Sequence, residues 1–179
     1  MIPLVASLLA PAALEPPAQA PVDLFKAACT QGSLALSTKN AARIDYKDMP
    51  YAARAALGQT LAAADMQVFA GAPKAGEVPG PVYAIGPGKA IYLLLPAADG
   101  AASGRFAHSC AIVWKGEHFA DARATILPDS QTYVGTMPDS NPMGLAFIGT
   151  VAGDLYLSAT SLSDWTVLKS VPSSDASLP

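Results

Sequence analysis

The chain carries two cysteines, Cys29 and Cys110, and a single intramolecular pairing is open to them. A bridge between them would tie an early segment to the middle of the chain and close a loop spanning 81 positions. In the chain-entropy picture a loop of that length stabilises the folded state by roughly 4–5 kcal/mol, a large share of what a small domain has in total. Two other readings stand beside it. Cys110 could be a reactive thiol with His108 as its base, since residues two apart on a strand share a face. Either cysteine could also be a small buried hydrophobe.

The compartment decides between these readings, and the amino terminus speaks to it. Residues 1–10, MIPLVASLLA, form an apolar run, and Ala18-Gln19-Ala20 follows as a small-x-small triplet. That order is the pattern of an export signal cleaved after Ala20. No Lys or Arg precedes Lys26, so the positive end of the signal is left to the α-amino group. Pro3, Pro11, Pro16 and Pro17 interrupt any regular element there, and the apolar run is far shorter than the ~20 residues of a membrane span. The expectation is a signal peptide at 1–20 and one domain at 21–179, placed in the periplasm or secreted. An oxidising compartment then favours the disulfide. It also needs no depressed thiol pKa, for which no cationic cluster is visible around Cys110.

Charge narrows the partners. Lys and Arg number 11 against 14 acids, for a formal net charge of −3, so no basic patch is available for a phosphate backbone and nucleic acid is not expected as a partner. The mean hydropathy is +0.31, but Ala, Gly and Pro carry much of it without large side chains. No membrane-spanning segment is expected in the mature chain.

Periodicity gives an α+β order, with two amino-terminal helices on a mainly antiparallel sheet of five to six strands. Val22, Leu24, Phe25, Ala28 and Cys29 recur at helical spacing, predicting a first helix over 22–30 that ends near Gly32 and presents Phe25 and Cys29 on one face. Pro50 and Gly58 bracket a second helix, with 59–68 either one further helical turn or extended. The Gly- and Pro-rich stretch 71–81 reads as a loop. Val82–Ile85, Ala90–Leu95, Phe106–Trp114, Leu145–Val151, Leu155–Ser161 and Trp165–Val171 read as strands. The turn Ala152-Gly153-Asp154 joins two of them. A short helix is expected over 117–124, and a frayed tail over 172–179.

Chemical motifs do not rise above background. Gly88-Lys89 lacks the spacing of a phosphate loop, with Tyr83 and Ala90 where Gly and Ser or Thr belong. Pro128-Asp129-Ser130 and its copy Pro138-Asp139-Ser140 read as turn chemistry. Imidazoles are confined to His108 and His118; Glu117-His118 with Asp121 reads as a polar helix face, so neither a metal site nor a cofactor is expected. Asp45 and Asp48 read as turn and cap residues before Pro50. No nucleophile motif is present, and Ser109 beside His108 would point to the opposite strand face. The stretch 133–145, with Met137, Asn141 and Met143, is the loop best suited to recognition.

An apolar leader, a Phe25-x-x-x-Cys29 helix and a later strand carrying Cys110 together resemble small uncharacterised exported proteins of alphaproteobacterial type. The resemblance spans Val22 to Lys115. It implies the compartment and the disulfide, and no activity. The expectation is therefore a non-catalytic binding or accessory protein of the cell envelope, whose partner could be another envelope protein. A small periplasmic hydrolase built around His108 or His118 and a secreted enzyme inhibitor are the alternatives.

Overall fold

The computed structural model describes residues 19–32, 41–61, 77–86, 90–96, 102–103, 106–116, 119–126, 135–137 and 145–174. The leader up to residue 18, His118, the Gly88-Lys89 turn and both Pro-Asp-Ser copies lie outside them.

The chain is α+β. Among the described residues three α-helices, α1 (Gln19–Phe25), α2 (Tyr51–Leu61) and α3 (Phe119–Ile126), accompany eight strands. These are β1 (Ala41–Ile44), β2 (Val82–Ile85), β3 (Ile91–Leu94), β4 (Cys110–Lys115), β5 (Gly135–Met137), β6 (Leu145–Ala152), β7 (Leu155–Leu162) and β8 (Trp165–Pro172). One antiparallel sheet holds all of them in the order β1-β2-β3-β4-β8-β7-β6-β5. Two four-strand meanders therefore meet where β4 pairs with β8, for instance at Cys110 opposite Ser170.

All six strands read from the sequence are present, and among the described residues β1 and β5 extend the sheet to eight. These two are the sheet's outer strands. They are also its shortest with β2 and β3, at four and three residues, and β1 exposes its two central residues. An outer strand needs no continuous apolar run, so it leaves little periodic signal. The strand expected from Phe106 starts instead at Cys110. Phe106–His108 turn first, with Ser109 donating its backbone N–H to the Phe106 carbonyl at 3.3 Å.

Helices cover both faces of the sheet. On one face α2 packs through Ala53, Ala56 and Leu57 onto Ala111, Val113 and Val167, joined by Tyr46 and Phe106 in an edge-to-face pair at 5.4 Å. Gly58 does not end α2; it is buried inside a helix that runs on to Leu61. Small residues let this helix lie close to the sheet, and that packing outweighs glycine's low propensity. On the other face α1 and α3 cover Leu93, Ile112, Ala159 and Leu168 through Val22, Phe25, Ala122 and Ile126. Burial on both faces explains the consecutive apolar residues of β3, all four of which are buried.

The carboxyl-terminal strand ends less freely than expected. Pro172 still belongs to β8, and Ser173 donates its N–H to the Asp154 carbonyl at 2.8 Å. Within 71–81, the described part from 77 belongs to no helix or strand. It is held by Val78 N–H to Ser103 Oγ at 2.9 Å and by Leu95 N–H to the Pro81 carbonyl at 3.0 Å.

Candidate functional site

Cys29 and Cys110 form a disulfide, with Cα atoms 5.4 Å apart. Cys110 shares its sheet face with Ile112 and Trp114 and looks toward α1, as strand alternation requires. Its partner stands on a π-helical segment, Lys26–Thr30, that continues α1 directly. Here Gln31 N–H reaches the Lys26 carbonyl at 3.0 Å, and Thr30 Oγ1 donates to the same oxygen at 2.9 Å. Wide turns of this type recur at functional sites. The regular 22–30 helix read from the sequence is thus an α-helix that changes to the wider form at Lys26.

The disulfide disposes of the thiol reading: Cys110 has no free sulfur to activate. His108 lies in the turn before β4 and is exposed, whereas Ser109 beside it is buried. Asp45 and Asp48 serve the turn before α2, with Asp48 N–H on the Asp45 carbonyl at 2.9 Å and Asp45 paired at 3.5 Å with Lys47 on the surface. The Asp45 side chain makes no capping hydrogen bond to the turn that follows it. Among the described residues, no group of three or more His, Cys, Asp and Glu is placed to hold a metal ion. The described part of the 133–145 stretch, Gly135–Met137, is strand β5 paired to β6.

A groove opens between α1 with its continuation and α3. It has a volume of about 480 Å³ and is lined by Val22, Asp23 and Lys26 from α1 and its continuation, and by Asp121, Ala124 and Thr125 from α3. Volumes of this order hold small molecules or a few peptide residues. Three of its residues carry charge, two carboxylates from different helices and one ammonium, and Val22 and Ala124 add apolar surface to the lining. Thr125 Oγ1 donates back to the Asp121 carbonyl at 2.8 Å, which fixes its methyl group and hydroxyl within the helix. Phe25 and Val22 are buried under α1, so the groove wall is anchored by apolar packing as well as by the covalent bridge.

No known family, curated protein or solved structure matches this chain. The geometry of the groove therefore stands without a relative to interpret it. From the sequence, Asp121 reads only as part of a polar helix face, and nothing local sets Asp23 beside it. Their meeting depends on how two helices nearly a hundred positions apart settle on one sheet face, and no local pattern encodes that.

Proposed function

We propose that this chain is an exported, non-catalytic binding protein of the cell envelope that receives a short peptide segment with a free amino group in the groove between α1 and α3. The observation that carries the reading is a mixed-charge groove whose α1 wall is pinned by a disulfide. The carboxylates of Asp23 and Asp121 suit an ammonium, and Lys26 suits a carboxylate or carbonyl farther along the same segment. A bridged wall loses little conformational freedom on binding, which favours recognition by a preformed surface.

Export is supported by the leader pattern and by the bridge, because disulfides persist where the surroundings are oxidising. Both sheet faces are covered by helices, so the groove is better placed than an open sheet face to meet a partner. His108 is exposed in a turn and is not among the residues that line the groove, which favours binding over hydrolysis.

The test is a panel of dipeptides and tripeptides, with free and acetylated amino termini, added to the oxidised full chain and followed by calorimetric titration. Binding should require the free amino group and should disappear in Ala124→Trp, whose indole fills the groove. His108→Gln with His118→Gln should bind as the unaltered chain does. Peptide cleavage during the titration, or binding that ignores the groove substitution, would sink the proposal.

A further inference from the structure

Asp23 on α1 and Lys26 at the start of its π-helical continuation both line the groove. Both are exposed, while Val22 and Phe25 beside them are buried. Phe25 keeps helical dihedrals, φ -61 and ψ -48, so the helix runs unbroken from the aspartate to the lysine. Residues three apart on a helix hold their Cβ atoms about 5–6 Å from each other. One wall of the groove therefore presents a negative and a positive group at a set spacing. Among the described residues these two are not joined in an ion pair.

The backbone that carries them is held on both sides. Phe25 is packed into the core between them, the Lys26 carbonyl accepts both Gln31 N–H and Thr30 Oγ1, and Cys29 is bridged to Cys110. A ligand spanning the pair meets a wall that needs little ordering on binding. Asp121, Ala124 and Thr125 line the facing wall, and among the described lining residues Lys26 is the one cation. The groove is thus polarised along α1, with Lys26 at its positive end.

We propose that the ligand of this groove is a free dipeptide held as a zwitterion along α1, its amino group at Asp23 and its terminal carboxylate at Lys26. The inference rests on the peptide-binding reading above and narrows it from a segment with a free amino group to a molecule charged at both ends. Length makes the choice. In a single amino acid the ammonium nitrogen and the carboxylate carbon are about 2.5 Å apart, well short of the spacing on the helix. One further residue adds about 3.3–3.6 Å and brings the two ends to about 6 Å, which matches the step from Asp23 to Lys26; a third residue overshoots it.

The probes are alanine, alanyl-alanine, its carboxyl-terminal amide and trialanine, titrated calorimetrically into the oxidised full chain near neutral pH at low salt. Alanyl-alanine should bind more tightly than alanine or trialanine, and about fivefold more tightly than its amide, the upper end of what one exposed ion pair contributes. Lys26→Met keeps the apolar stem and should abolish the preference for acid over amide, while the need for a free amino group stays. Asp23→Asn should weaken dipeptide and amide alike. Both substitutions alter exposed side chains and leave the core untouched. Peptides that bind through a free amino group but equally well as acid and amide would overturn this inference and leave the groove reading standing. Trialanine or alanine binding as tightly as the dipeptide, or an acid preference that survives Lys26→Met, would overturn it too. Absence of binding by every probe would overturn both.

Discussion

Ser170 Oγ donates a hydrogen bond to the carbonyl oxygen of Cys29 at 3.0 Å, across 141 positions of chain. Ser170 is also the cross-strand partner of Cys110, whose sulfur holds the Cys29 side chain. One pair of facing residues at the β4–β8 junction therefore grips both the backbone and the side chain of the segment that continues α1. The grip sits where the two meanders join.

Loss of this attachment should be costly. Cys29→Ala with Cys110→Ala should lower unfolding stability by about 2–5 kcal/mol, and Ser170→Ala by about 1 kcal/mol. The combined variant should lose less than the sum, because both contacts hold one segment. Urea unfolding of the three variants checks the ordering. On protein recovered from its native compartment, intact-mass measurement after alkylation without reductant should show neither sulfur modified.

Gly149 should resist substitution. A Cβ there would lie 2.8 Å from Tyr156 Cζ and overlap the phenolic oxygen, so Gly149→Ala should cost about 1–3 kcal/mol as the ring is forced aside. Tyr156→Phe in the same chain should recover part of the loss. A double-mutant cycle measured by thermal unfolding reads the coupling directly.

Stability should rise with pH in one window. Burial lowers the Lys169 pKa from 10.5 to about 8, so from about pH 8 upward the unfolded chain binds more protons at this residue than the folded chain. Unfolding free energy then increases toward pH 10, by up to roughly 3 kcal/mol, and below pH 8 the full cost of burying the ammonium is present. Tyr92 and Tyr156 act oppositely above pH 10, because burial raises their pKa values and their stabilising contribution is lost as the unfolded chain ionises. Denaturant midpoints between pH 7 and pH 10 should climb, and Lys169→Met should flatten the climb.

The turn between β7 and β8 should be improvable. Ser163 adopts φ 54, a left-handed conformation that side chains other than Gly, Asn and Asp rarely take. Ser163→Gly or Ser163→Asn should raise stability by about 0.5–1 kcal/mol. A higher melting temperature with an unchanged circular dichroism spectrum is the expected result.

The local pattern of the sequence determined the α+β class, the six strands from β2 to β4 and β6 to β8, the start of α2 after Pro50, and the pairing of Cys29 with Cys110. Each of these rests on side-chain alternation, turn residues or an even cysteine count, and such signals are complete within a short stretch of chain. Only the tertiary structure decided that β4 joins β8, that β1 and β5 close the two ends of the sheet, and that α2 continues through Gly58. It alone brought Asp23 and Lys26 beside Asp121, and set Ser158 against Lys169 inside the fold. Those outcomes depend on which distant surfaces bury one another, and burial between remote segments leaves no period in the residues that take part.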